Sequence, residues 1–146
     1  MKDTDFIPHI DALEGLVRKA CAHLEGNLDE EQIELYDLAF VQAELLAART
    51  LIAEAEKTGG LTAACDFFCA NAIVSITQKF SVRPQTFGLS QDELPKLEGL
   101  QDYLSPKAIA SLGQPYLAQG LADALLAAET RIIRDPSKAS ADDAVN

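Results

Sequence analysis

The chain has 146 residues, of which 48% are hydrophobic and only 6% aromatic, with no tryptophan. A chain of this length buries roughly 70% of its unfolded surface around one core, so we expect a single domain over residues 1–136. The formal net charge is -11, from 23 acidic and 12 basic residues. Such a surface repels phosphate backbones and anionic lipid, which argues against nucleic acid and the membrane surface as partners.

Other features of the sequence indicate the cellular compartment in which the protein is found. Charges interrupt the first twenty residues throughout, so no secretory signal is visible. No run reaches the ~18 consecutive apolar residues that a membrane helix needs. The three cysteines are an odd number and too few for a disulfide scaffold. These features predict a cytoplasmic protein.

Apolar residues recur at three- and four-residue spacing along nearly the whole chain, which predicts an all-α fold. The expected elements are a first helix over about residues 5–25, a long second helix from about 29 to 58, a third over about 62–80, a short helix over 105–113 and a last long helix from about 115. We therefore expect a helical bundle of four longer helices plus one or two short ones. The small polar residues 137–146 predict a disordered tail.

Capping motifs mark several of these starts. Asp29, followed by Gln32 three residues later, predicts a capping box at the start of the long helix. The "SQDE" sequence at residues 90–93 predicts a second capping box. Ser105 followed by Pro106 predicts a helix that begins at the proline.

The long second helix is apolar on two faces. One face holds Leu35, Leu38, Leu45 and Ile52, and the other holds Tyr36, Phe40, Ala43, Ala47 and Leu51. A helix with so wide an apolar arc usually contacts several neighbours in a bundle. We therefore expect it to be the central helix, with its alanines allowing neighbours to approach closely.

The cysteines and histidines do not form a strong metal pattern. Cys65 and Cys69 lie four apart on one helix, and Cys21 with His23 would complete a zinc quartet if the first and third helices pack together. However, Cys21 and His23 point roughly 200° apart on a helix. Neither histidine of the chain has a glutamate three residues before it, which argues against a di-iron bundle. Core packing of the cysteines is the preferred interpretation.

Other chemistry finds little support. His23, in "KACAHLEG", also suggests histidine phosphotransfer, but its place near a helix end favours an ordinary surface histidine. The acidic run "DEEQIE" suits the charged start of a helix rather than a buried carboxylate pair. The sequence has no phosphate-binding glycine loop, nucleophile elbow or dinucleotide fingerprint. We therefore expect no catalytic residues, no cofactor and no metal.

The segment "TQKFSVRPQTFG" is the one candidate binding site. It places the bases Lys79 and Arg83 four residues apart, close to Gln85 and interleaved with Phe80 and Phe87. Bases beside aromatics suit a phosphate, a carboxylate or an acidic partner surface. The same residues also suit a long connector whose phenylalanines attach it to the bundle while its bases stay in solvent. The sequence leaves both interpretations open.

Two long stretches resemble a known family. The helix "YDLAFVQAELLAARTLIAEAE" and the following "ANAIVSITQKFSVRPQTFGLSQDEL" resemble helical regions of the acyl-CoA dehydrogenase superfamily. In particular, they resemble the extra N-terminal helical domain of methylsuccinyl-CoA dehydrogenase-type enzymes. There, a "LAW-x-A-x-Y" helix precedes a second helix, a polar connector and a "GLS-x-x-x-L" turn. The matching elements are Leu38–Ala43, Ala70–Phe80, Ser81–Thr86 and Gly88–Leu94, within about residues 30–112.

The resemblance implies an accessory role. That family oxidises acyl-CoA thioesters with FAD, a central β-domain and a catalytic glutamate, and this chain offers no match for the β-domain or the glutamate. Two hypotheses follow. The chain is a non-catalytic helical domain that associates with itself or with an acyl-CoA dehydrogenase-like protein through its long helix. Alternatively, it is a bundle that binds a small anionic or acyl ligand through Lys79 and Arg83.

Overall fold

The computed structural model describes residues 6–27, 29–59 and 62–118. It contains four α-helices: α1 (Ile7–Leu24), α2 (Gln32–Thr58), α3 (Thr62–Val82) and α4 (Pro106–Ala118). Short 3₁₀ helices lie at Glu25–Asn27, Pro84–Phe87, Gln91–Glu93 and Leu100–Leu104. The described residues include no strand, and the predicted all-α fold is confirmed.

The chain divides into two compact units, Met1–Ile109 and Ala110–Asn146. The first unit contains α1, α2 and α3 with all four 3₁₀ helices. A single domain over residues 1–136 stays a prediction. The tail predicted over 137–146 lies outside the described residues. None of the helices in the described part of the chain is long and apolar enough to cross a membrane.

The core of the first unit lies where α1, α2 and α3 meet. Each helix buries apolar residues that recur at three- and four-residue spacing, which places them on one face. These residues are Ile10, Leu13, Leu16, Val17, Ala20 and Leu24 of α1; Leu38, Val41, Leu45, Ala48, Ile52 and Ala55 of α2; and Cys65, Cys69, Ala70, Ala72, Ile73, Ile76 and Phe80 of α3. The arc buried by α3 is wide because α1 and α2 both pack against it.

Helix starts follow the capping motifs at two of three places. At Ser105 the hydroxyl oxygen accepts the Ala108 backbone N–H at 3.1 Å, and α4 begins at Pro106 as expected. The "SQDE" capping box also forms, since the backbone N–H of Ser90 donates to a Glu93 carboxylate oxygen at 2.8 Å. The helix it caps ends after three residues, because Pro95 forces Leu94 into an extended conformation.

The other helix boundaries differ from expectation in two places. The capping box predicted at Asp29 is wrong, because α2 begins at Gln32 with Glu31 as an N-cap that makes no side-chain cap. The predicted break at Gly113 is also wrong, because α4 continues through it to Ala118. A glycine inside a helix costs only about 1 kcal/mol relative to alanine, which is too little to end it. The rest of the predicted last helix lies outside the described residues.

A connector formed by Gly88–Leu104 returns along the whole length of α1. Three contacts attach it, in order along the chain: Glu93 with Lys19, the Lys96 carbonyl with His9 at 3.2 Å, and the ring of Tyr103 edge-on to Phe6 at 5.3 Å. Leu89 and Leu100 of the connector are buried in the same core. The connector is therefore a structural layer packed on α1 and, at Leu100–Leu104, on α3, rather than a free loop.

The ion pair in this connector resists acid. The hydrogen bond from Lys19, followed by those from Ser90, lowers the pKa of Glu93 to about 2. A carboxylate with a depressed pKa stabilises the folded state above its unfolded pKa of about 4.3, and this stabilisation is lost progressively as the pH falls from there toward 2. The contact between connector and α1 therefore persists through mildly acidic conditions.

An ion-pair cluster joins α1 to α2. The guanidinium of Arg49 donates two hydrogen bonds to Glu14, at 2.7 and 2.8 Å, and a third to Asp11. These bonds lower the pKa of Glu14 below its usual range, against the effect of burial, which raises it. The same partners raise the pKa of Arg49. This forked geometry fixes the position of α2 along α1.

We expect Arg49→Met to lower the free energy of unfolding by about 1–2 kcal/mol at neutral pH, because the methionine keeps the aliphatic stem but removes the pair. Glu14 has a depressed pKa, so its contribution is present above its unfolded pKa of about 4.3 and is lost as the pH falls. Urea unfolding at neutral pH and near pH 3 tests this. The two proteins should become more alike in acid, whereas a difference that is the same at both pH values would contradict the ion-pair explanation. Lys57→Met, at an exposed base in the last turn of α2, is the matched control.

Candidate interaction face on α2

The phenylalanines of the candidate binding segment lie in the core. Phe80, near the end of α3, and Phe87, in the following 3₁₀ helix, are both 0% exposed. Their rings meet edge to face with centroids 5.2 Å apart, a favoured aromatic geometry. They attach the start of the connector to the bundle, and neither ring faces a surface pocket.

The bases of that segment face carboxylates of α2. Lys79 Nζ lies 3.8 Å from an Asp37 oxygen, and Arg83 reaches Glu34 at 3.5 Å and the second Asp37 oxygen at 3.7 Å. Gln85 is exposed beside them. The structure therefore brings Lys79 and Arg83 together, as the sequence suggested, but against two acids. An incoming anion would have to displace those carboxylates.

The cysteines separate into two environments. Cys65 and Cys69 are buried with their sulfurs 4.0 Å apart, and the expected core packing is confirmed for both. Cys21 is exposed on α1, so the core packing preferred for the cysteines is wrong for this one. Within the described ranges, no group of three or more histidine, cysteine, aspartate or glutamate side chains lies close enough together to hold a metal ion.

An exposed apolar surface follows the side of α2 that faces away from the core. Six exposed residues define it, here called the outer face of α2: Ile33, Tyr36, Phe40, Ala43, Ala47 and Thr50. Ile33, Tyr36 and Phe40 expose 71%, 69% and 55% of their surface. Single exposed apolar residues are ordinary, but a contiguous row along one helix marks an interaction surface.

The spacing of the outer face is alternately three and four residues without interruption. This is the repeat by which one helix keeps a continuous seam toward another. The core residues Leu38, Leu45 and Ile52 repeat every seven residues on the opposite side of α2. Since the outer face lies on the side of α2 away from the core, an approaching helix can reach it from solvent.

Local contacts keep the outer face apolar. The hydroxyl of Thr50 donates to the Leu46 carbonyl of its own helix at 2.9 Å, so it needs no other partner. The rings of Tyr36 and Phe40 pack against each other with centroids 5.3 Å apart. The two rings thus form one broad apolar projection near the start of α2.

An open groove of about 680 Å³ lies beside the second half of the outer face. Its lining includes Ala43, Ala47, Leu51 and Phe68, with Leu46 at its edge. The only charged residue that lines it is Glu54, at its far end. The groove therefore suits a large apolar side chain.

The outer face carries no carboxylate, amine, imidazole or thiol, and its residues suit contact with another apolar surface. Sequence analysis predicts a second apolar face of Tyr36, Phe40, Ala43, Ala47 and Leu51, of which Leu51 is half-buried and lines the groove. It missed Ile33 and expected neighbouring helices of the same bundle to cover that face.

Comparison of the chain with protein-family models, with curated proteins and with solved structures finds no match.

Proposed function

We propose that the chain is a non-catalytic helical accessory domain of the cytoplasm that works by association. Its partner is a second copy of itself or an acyl-CoA dehydrogenase-like protein. The outer face of α2 makes the contact. The observation that carries this proposal is the exposed three-and-four spacing of apolar residues from Ile33 to Thr50.

The energetic argument is the area that association removes from water. Exposed apolar surface contributes about 25 cal/mol per Å² when it is buried. Phe40 and Leu46, which is 62% exposed, are large residues with most of that contribution still available. A packed helix on the outer face would bury both of them.

The order of elements supports the family part of the proposal. A long helix, a second helix, a connector and a capped turn at Ser90 follow one another as the sequence resemblance requires. A helical accessory domain needs no catalytic residues, and we therefore propose none. The exposed thiol of Cys21 fits a reducing compartment.

The alternative hypothesis is a helical bundle that binds a small ligand through Lys79 and Arg83. It stays a prediction and is less favoured than association. Both bases lie near carboxylates of α2, which offset their charge. Phe80 and Phe87, which would line its apolar part, lie in the core. Association needs no rearrangement of this kind, since the outer face is already exposed.

Phe40→Glu tests association directly. The variant places a charge in the middle of the outer face, where it would have to lose its hydration for a partner to bind. In size-exclusion chromatography with light scattering over a wide concentration range, we expect the native chain to exceed the monomer mass and the variant to remain a monomer. Co-expression with an acyl-CoA dehydrogenase that lacks a helical extension tests the second partner.

Val82→Glu is the matched control, because Val82 is 77% exposed but belongs to α3 and not to the outer face of α2. It should associate like the native chain. A native chain that stays a monomer and also fails to bind the dehydrogenase would refute the proposal. Equal association of the native chain and Phe40→Glu would show that another surface is used.

A further inference from the structure

We infer that the outer face of α2 binds the same face of a second copy in antiparallel orientation, with Phe40 of each copy against Ala43 of the other. This inference rests on the proposed function and names its partner and geometry. Three features of the molecule support it: the distribution of side-chain sizes along the face, the groove beside its small half, and the distribution of charge.

Side-chain size changes along the outer face. Its first half holds the large residues Ile33, Tyr36 and Phe40, and its second half holds the small residues Ala43, Ala47 and Thr50. A helix packed on this face needs the opposite order, with small residues beside the large ones. A second copy of α2 running the other way provides that order.

One antiparallel alignment matches every position of the face. It places Phe40 against Ala43 of the second copy, Tyr36 against Ala47, and Ile33 against Thr50, and the two-fold axis repeats each pair. Every layer then combines one large and one small side chain. Such pairs let two helices keep a constant separation along the seam.

The groove beside the small half supports the same alignment. Its walls include Ala43, Ala47, Leu51 and Phe68. In the antiparallel pair, the aromatic rings at positions 36 and 40 of the second copy lie over this groove. They would bury apolar surface and contact Phe68 of α3, so the interface extends beyond a single helix.

A parallel pair is disfavoured by the same residues. It would stack Phe40 on Phe40 at one end and Ala47 on Ala47 at the other, so the helices would splay or leave a cavity. It would also bring the acidic starts of both α2 helices together, including Glu30, Glu31 and Glu34. The antiparallel pair keeps these two acidic starts apart by the length of the seam, and each then lies beside the end of the other α2, which carries Lys57 as well as Glu54 and Glu56.

The expected dimer is reversible and strengthened by salt. A seam of about 27 Å, from 18 residues at 1.5 Å each, gives an interface at the low end of the range for specific complexes. Each copy carries a net charge of -11, so two copies repel each other. Raising the salt concentration screens this repulsion, and the dissociation constant should therefore fall.

Disulfide trapping in a Cys21→Ser background tests the alignment. We use Tyr36→Cys alone, Ala47→Cys alone, and an equimolar mixture of the two. The antiparallel pair brings position 36 beside position 47, but it separates equal positions by about 16 Å along the seam, beyond the reach of a disulfide. Only the mixture should form a crosslinked dimer, identified by the intact mass of the mixed species.

The outcomes separate this inference from the proposed function. Crosslinking of each variant by itself would show a parallel pair and overturn the inference, while association through this face would stand. A native chain that forms dimers while no sample crosslinks would also overturn it. A native chain that stays a monomer would also overturn the inference. In that case, binding to the dehydrogenase would test the proposed function separately.

Exchanging the two residues of the central layer, Phe40 and Ala43, is an independent test of the antiparallel alignment. Phe40→Ala removes the large residue and Ala43→Phe places two large residues in one layer, so each should weaken the dimer about tenfold or more. The double variant restores one large and one small residue per layer and should regain most of the native affinity in sedimentation equilibrium. A double variant as weak as the single variants would contradict the alignment.

Discussion

Phe80→Ala should lower the free energy of unfolding by about 3–5 kcal/mol, the usual loss when a fully buried phenylalanine is truncated. Phe80 is 0% exposed and lies against Phe87, so its removal leaves a cavity and a ring without its edge-to-face partner. Small domains are stable by only about 5–15 kcal/mol, and the loss would be a large part of the total. Denaturant unfolding followed by circular dichroism measures it.

Phe40→Ala is the matched control for this truncation, because Phe40 is 55% exposed on the outer face of α2. At concentrations too low for association, its free energy of unfolding should stay within about 0.5 kcal/mol of the native value. A small effect at Phe80 would contradict its place in the core and favour the ligand-binding interpretation of "TQKFSVRPQTFG". A small effect at both positions would mean that neither ring stabilises the monomer.

Much of the fold could be predicted because each helix of the first unit has its own periodicity. Leu38, Leu45 and Ile52 fall on one face whatever their neighbours are, and that face is buried. The capping residues Ser90 and Ser105 act through local hydrogen bonds, which sequence spacing also indicates. Asp29 fails as a cap, since α2 begins only at Gln32 and the residue before it, Glu31, makes no side-chain cap.

The path of the connector could not be predicted in this way. Its contacts join residues far apart in sequence, such as Lys19 with Glu93 and Phe6 with Tyr103. No periodic pattern specifies which helix a connector follows, because the result depends on the packing of α1 against α3. The pairing of Arg83 with Glu34 and Asp37 is likewise a tertiary contact, and it changes the interpretation of the candidate binding segment.

The outer face shows where sequence reasoning was close. Helical spacing placed Tyr36, Phe40 and Ala47 on one side of α2, which the structure confirms. Periodicity identifies residues that share a face but not the molecule that covers it. Exposure is the additional information that the structure gives, and it turns a presumed core face into a candidate interface.

Gly88→Ala should lower the free energy of unfolding by about 2–4 kcal/mol, from backbone strain and a steric clash together. Gly88 has a φ of 66°, in the left-handed region that disfavours side chains. A Cβ at this position would also lie 2.5 Å from the Cγ atom of His23, so the α1 histidine or the connector must move. Thermal and denaturant unfolding of the purified variant measure the loss.

Two further variants separate the strain from the clash. Gly59→Ala has nearly the same φ, 65°, but nothing within 4 Å of the added Cβ, so it should show only the strain of about 1–2 kcal/mol. His23→Ala, at an exposed position, should be nearly neutral alone and should recover the steric part when combined with Gly88→Ala. If the double variant is as unstable as Gly88→Ala alone, the connector does not lie against His23. Because this close approach requires the connector to lie against the end of α1, recovery in the double variant would establish its path in solution.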